Sequence, residues 1–164
     1  MISIRPIAAD DHEWIYRACQ DPEIQRFTLV PRPYTMEHAN QFVISKAGEF
    51  MVWAIQKFEE PIGVISIHDI CDKTGVASIG YWVAPWGRRL GGASSAIELV
   101  TDYVRKNSLA REVQAKIADT NEGSRRSAKR AGLSISNQLC ETCPDGELQV
   151  NASIFSIRFS TLLP

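Results

Sequence analysis

The feature that most constrains this chain is the succession in its middle third. Three runs rich in β-branched and aromatic residues, 51–58, 61–70 and 76–83, are followed at once by Ala84 and Pro85, a basic stretch with two glycines, and a long amphipathic segment. Only Glu59 and Glu60 separate the first two runs, a spacing that predicts a hairpin although its turn lacks the usual glycine. Asp72, Lys73, Thr74 and Gly75 lead into the third run, and Pro85 stops further ladder bonding. Ala93, Ala96, Ile97, Val100, Tyr103 and Val104 then recur at helical spacing on one face. Three antiparallel strands feeding a helix are therefore the expected centre of the fold.

The flanks alternate in the same way. Residues 2–6 read as a strand, and 10–19 as a helix opened by an Asp10 cap with Glu13 completing a capping box and ended by Asp21 and Pro22. Thr35 is placed to cap a second helix carrying Met36, Ala39, Phe42 and Val43. Downstream, 112–118 reads as a strand and 121–131 as a short basic helix, with Gly132 its left-handed stop. Two last runs, 133–139 and 149–159, flank Pro144, Asp145 and Gly146 and predict a second hairpin. This order gives an α/β class with a mixed sheet rather than a doubly wound one.

At 164 residues, 45% hydrophobic and 23% charged, a single domain over 1–164 is expected, large enough to bury a core without disulfides. A formal net charge of -1 provides no global basic field, which argues against nucleic acid or an anionic membrane as partner. The first residues have neither a basic leader nor an apolar stretch of signal length, and no window approaches a membrane span, so a cytoplasmic location is expected. Cys19, Cys71, Cys140 and Cys143 are scattered and read as reduced. Cys140 and Cys143 have zinc-knuckle spacing but no second Cys or His pair, so no metal is expected.

The chemistry concentrates at Arg88, Arg89, Leu90, Gly91, Gly92, Ala93 and Ser94, between a strand end and a helix start. The first turn of a helix leaves about four N–H groups without partners and carries roughly half a positive charge, and small residues there let a phosphate approach the backbone. A glycine pair before a helix is also consistent with a tight turn that needs only backbone freedom; the adjacent arginines favour the anion. Neither common nucleotide loop is present, which disfavours ATP and NAD.

These residues resemble the GNAT superfamily of acyl-CoA-dependent N-acyltransferases, whose pyrophosphate loop reads Gln/Arg-x-x-Gly-x-Gly/Ala; Arg88, Gly91 and Ala93 match it in register. Asp21, Pro22 and Glu23, then Tyr34 and Thr35, Ile79 to Val83, and Asn121 to Ser124 resemble landmarks of its ribosomal-protein-alanine acetyltransferase branch, in order over nearly the whole chain. The resemblance implies a mostly antiparallel, seven-stranded sheet with about four helices on both faces. It implies transfer of an acetyl group from acetyl-CoA to a primary amine, a protein N-terminal α-amine among the candidates, by direct attack in a ternary complex. A non-catalytic acyl-CoA sensor or interaction module is the alternative. Oligomeric state stays open between monomer and homodimer.

Residue roles follow from the same resemblance. Backbone groups at Trp82 and Val83 would hold the pantetheine arm and polarise the thioester, Arg88 to Ser94 would cradle the pyrophosphate, and Asn121 would bond the arm from the other side. Many members carry a tyrosine seven residues after that asparagine as the acid for the departing thiolate; here the position is Ala128, and Ser124 is the substitute, unless it only caps its helix. Arg125, Arg126, Lys129 and Arg130 either meet CoA phosphates or form a solvated face. An α-amine is about 3.5 kcal/mol easier to deprotonate than lysine at neutral pH, so it needs little help from a base. Glu23, His68 and Glu112, acting through water, are the candidates. The loops over 21–34 and 139–147 would wall the acceptor side.

Overall fold

The computed structural model describes residues 1–45, 51–136 and 141–160. Among them are eight strands: β1 (Ile2–Pro6), β2 (Met51–Lys57), β3 (Glu60–Cys71), β4 (Val76–Val83), β5 (Glu112–Ala118), β6 (Ser134–Ile135), β7 (Thr142–Asp145) and β8 (Leu148–Arg158). Their order in the sheet is β1-β2-β3-β4-β5-β8-β6, with β7 also on β8. All of these pairs are antiparallel except β4 with β5. Five α-helices accompany them: α1 (His12–Ala18), α2 (Pro22–Phe27), α3 (Met36–Ser45), α4 (Gly92–Lys106) and α5 (Glu122–Arg130).

Both faces of the sheet are buried. On one, α4 lays Ala96, Ile97, Val100 and Val104 against Ile65, Ile67, Ile79, Val113 and Phe155. On the other, Trp14, Ile15, Ile24, Ala39 and Val43 from α1, α2 and α3 cover Val52, Ala54 and Val64. Each large side chain so buried contributes about 1.5–3 kcal/mol, which is why the alternation in β2 and β3 sets which residues face α4.

The β2–β3 hairpin closes without glycine because Phe58 and Glu59 both adopt positive φ, 57° and 95°. That is the mirror-image turn whose twist suits a two-residue loop, and it costs about 1–2 kcal/mol per non-glycine residue. Thr35 caps α3 as expected, its Oγ1 accepting from the His38 N–H at 3.2 Å. Gly132 takes the left-handed stop after α5 with φ 87°.

Three expectations need correction. Asp10 does not cap α1: a 3-10 turn over Ala9–Asp11 precedes the helix, and Asp11 is the acceptor instead. The Asp11 carboxylate, 3% exposed, takes hydrogen bonds from the Ala8 N–H (2.7 Å), the Trp14 indole (2.6 Å) and Arg5 (2.7 Å), which no exposed cap would match. Asp21 and Pro22 do not simply end a helix but start α2. Proline is tolerated at a first helical position, and Asp21 accepts from the Ile24 N–H at 2.9 Å. The strand facing β8 across Gly146 is β7, not the run 133–139; of that run Ser134–Ile135 forms β6, on the far part of β8. Leu139 and Cys140 lie outside the described residues. No helix among the described residues is long and apolar enough to cross a membrane.

Candidate active site

The parallel pairing of β4 and β5 stops early. Val76 to Ile79 align with Glu112 to Ala115, yet β4 continues to Val83 and β5 to Ala118 without pairing further. From Gly80 onward β4 is bonded only to β3, with Trp82 opposite Val64 and Val83 opposite Gly63. Main-chain groups of Tyr81 to Val83 on the β5 side thus lack a ladder partner in the middle of the sheet.

Two clefts meet at this opening. One, of about 520 Å³, is walled by the turn after β4, the start of α4, α5 and α2. The other, of about 1190 Å³, lies between α2, α3, β3, β5 and β7. Phe27, Thr28, Tyr81, Trp82, Asn121 and Ser124 line both, so the clefts are continuous.

The first cleft takes its shape from small residues. Gly91 is the N-cap of α4 with φ 77° and no side-chain cap, which leaves the first-turn N–H groups of Gly92, Ala93 and Ser94 without helical partners at the cleft wall. A side chain at Gly91 would meet nothing within 4 Å, so its backbone conformation, not crowding, demands glycine. At Gly92 a Cβ would come to 2.7 Å from Ile62 Cδ1, so close packing on β3 is what holds the loop.

Basic residues distribute unevenly around it. Arg89, Arg126 and Arg130 line the first cleft. Arg125 turns away to Asp119 (2.8 Å) and the Ser153 hydroxyl (3.1 Å), and Lys129 lines neither cleft. Arg88 also lines the first cleft, but its guanidinium is engaged by both oxygens of Asp21 and by Glu23 at 3.1 Å. Burial pushes the Asp21 carboxyl up, but Arg88 and the amides of Ile24 and Glu23 outweigh it and hold the group below the usual carboxylate range. Leu90 is 41% exposed and lines neither cleft.

At the junction, Asn121 caps α5 through its Oδ1, which accepts from the Ser124 N–H at 3.2 Å. The cap is thus Asn121, and among the described residues the Ser124 hydroxyl has no hydrogen bond of its own. The Tyr81 phenol donates to the Ser124 carbonyl oxygen at 2.9 Å, and burial pushes that phenol's pKa upward, so it stays a donor. Ala128 is fully buried in the core.

The three base candidates separate in space. Glu23 sits in the first cleft beside Arg88. Glu112 is buried against Arg158 at 2.9 Å and lines neither cleft. His68 alone of the three faces the second cleft, at the bulge between Ile67 and Asp69, with its ring over Gly80. A bulge re-aims a side chain off the strand alternation. Tyr81 falls within the Ile79 to Val83 landmark, and Phe27 and Thr28 within the 21–34 segment expected on the acceptor side; what the sequence did not single out is that Phe27 and Thr28, at the end of α2, line both clefts.

Cys19, Cys71 and Cys143 are free thiols, and no cluster of three metal-ligating side chains occurs among the described residues.

Residues 2–134 match the acetyltransferase (GNAT) domain family. The uncharacterized N-acetyltransferase YoaA of Bacillus subtilis (strain 168) is 24% identical over 161 residues, covering 94% of this chain and 91% of that protein. Among solved structures, the microcin C7 self-immunity acetyltransferase MccE in complex with acetyl-CoA and AMP superposes with a TM-score of 0.84 at 17% identity, over 96% of this chain and 92% of the other. The ribosomal-protein-S5-alanine acetyltransferase from Vibrio fischeri gives 0.82 at 15% identity, over 99% and 96%. With an early-parting parallel strand pair, a helix N-terminus open to one cleft and a family match over most of its length, this chain belongs to the GNAT family of acetyl-CoA-dependent N-acetyltransferases.

Proposed function

We propose that the protein acetylates a primary amine by direct attack within a ternary complex, the first cleft taking acetyl-CoA and the second the amine. The observation that carries this is the meeting of the two clefts at the unpaired stretch of β4. The first-turn amides of Gly92, Ala93 and Ser94, with Arg89, Arg126 and Arg130, suit the phosphates of the cofactor. Trp82 and Val83 offer main-chain groups to the pantetheine arm and thioester, and Asn121 faces them across the opening. Bound acetyl-CoA supplies an acyl group already activated as a thioester.

The chain's own part is positioning and proton movement. An N–H fixed at the end of β4 stabilises negative charge on the carbonyl oxygen as the amine adds. The Ser124 hydroxyl, which makes no hydrogen bond among the described residues, is available to donate to the departing sulfur. His68, which lines the second cleft, accepts through water the proton the amine sheds. An α-amine is favoured over a lysine because its lower pKa leaves more of it neutral.

Thermal unfolding with acetyl-CoA, and with ATP and NAD as controls at equal concentration, tests the cofactor half. Acetyl-CoA at 100 times its Kd should add about 2.7 kcal/mol, a rise of roughly 5–11 °C. Acetyl transfer to a panel of peptide N-termini, amino acids and polyamines then tests the reaction. A shift with all three ligands, or none, refutes the cofactor assignment; a shift without transfer to any amine refutes the enzymatic one.

A further inference from the structure

The short helix α2 touches both halves of the site through ion pairs at its two ends. At its N-terminus Asp21 is held by Arg88 of the cofactor loop. In its last turn Arg26 grips Asp145 at the tip of the β7–β8 hairpin with a two-pronged contact, Nη2 to Oδ2 at 3.0 Å and Nε to Oδ1. The main chain repeats the link, the Gly146 N–H donating to the Arg26 carbonyl oxygen at 2.8 Å. These residues are well over a hundred positions apart in sequence, so nothing local in the chain holds them together. Between the two ends Phe27 and Thr28 line both clefts.

We propose that α2 is a brace that couples the cofactor loop to the acceptor wall, with Arg26 and Asp145 as positioning residues. The proposal rests on the reading that the first cleft takes acetyl-CoA and the second the amine. Phosphate arriving beside Arg88 competes with Asp21 and Glu23 for the same guanidinium, and any adjustment of Asp21 is carried along the six residues of α2 to Arg26. A fork-shaped contact of this kind transmits orientation as well as charge, which a single-point lysine contact would not. Arg26 itself lines neither cleft, so its effect on binding is through the hairpin. By linkage, cofactor and amine would then tighten each other's binding by the same factor.

Hydrogen exchange of the full chain with and without CoA, read by mass spectrometry over the loop around Gly91 and the hairpin tip around Gly146, tests the brace. CoA should slow exchange at both, the hairpin by about fivefold, the low end of coupling between two sites. In Arg26→Gln the loop should stay protected, with CoA affinity within about twofold, while the hairpin loses its protection. The reversed pair Arg26→Asp with Asp145→Arg should recover it. Protection of the loop but not the hairpin in the wild type, or equal hairpin protection in Arg26→Gln, overturns the brace alone. So does failure of the reversed pair, which would mean that Arg26 acts within α2. Absence of protection at the loop overturns the cofactor assignment as well.

Discussion

The phenol of Tyr81 spans the opening between β4 and β5 and donates to the main-chain carbonyl oxygen of Ser124 at 2.9 Å. Because Ser124 also gives its N–H to Asn121, one phenol fixes the first turn of α5 against the strand whose backbone is unpaired. Tyr81→Phe keeps the ring in the core and removes only this donor. The expected cost is about 1 kcal/mol, a Tm lower by roughly 2–4 °C, and a kcat about tenfold down as the junction loosens. Ser124→Ala should leave Tm unchanged and lower kcat by roughly tenfold to a hundredfold with little change in KM. Calorimetry with steady-state kinetics separates the two patterns.

Gly80 and His68 cannot both keep their places if Gly80 acquires a side chain. A Cβ on Gly80 would lie 2.0 Å from His68 Nε2, and the obstructing atoms all belong to that ring. Gly80→Ala should therefore displace the imidazole while sparing the strand. Its kcat should fall as far as that of His68→Gln, about a hundredfold, and the double variant should be no worse than either. Additive losses would disconnect the two residues.

Gly91 is a backbone requirement without a steric one. Gly91→Ala places a methyl group in open space but asks alanine to hold φ 77°, at about 1–2 kcal/mol. Tm should drop by roughly 2–8 °C, and acetyl-CoA Kd should rise because the amides of Gly92 to Ser94 no longer sit at rest in their bound arrangement. Titration calorimetry with acetyl-CoA measures the second effect directly.

Acid should act through three aspartates. In Asp11 burial pushes upward, but Arg5, the Ala8 N–H and the Trp14 indole outweigh it; Asp21 is held down by Arg88 despite burial; Asp145 is held down chiefly by Arg26. A carboxyl with a lowered pKa in the folded protein contributes stability that is complete above its unfolded value of about 3.9 and is lost as pH falls through the folded one. Tm should accordingly be flat above about pH 5 and fall steeply below about pH 4. Asp11→Asn should shrink the fall, and melting curves across that range measure it.

Much of this was legible because local chemistry and tertiary demand agreed. β4 and β5 begin and end at the residues their β-branched runs predicted, whereas the cap of α5 is Asn121 and not Ser124, the residue read as a possible cap. Where they diverged, a long-range partner decided. Asp10 and Asp11 are equally good caps on paper, and only Arg5 and Trp14, brought close by β1 and α1, select Asp11 for burial. Glu23 and His68 read alike as candidate bases, and the separation depends on Arg88 meeting α2 and on a bulge in β3 that no periodicity announces. Arg88 itself was expected to cradle an anion, and a carboxylate 67 residues away already holds its guanidinium.

The early parting of β4 from β5 also gives the sheet something unusual, an edge in its interior. Free edges normally lie at a sheet's margins, where they attract further strands and are guarded by charge, proline or shortness. Here the unpaired stretch opens onto the two clefts, walled by α2, α3, α4 and α5. Under the proposed reading, an extended ligand carrying its own amide donors and acceptors would complete the sheet there much as a missing strand would.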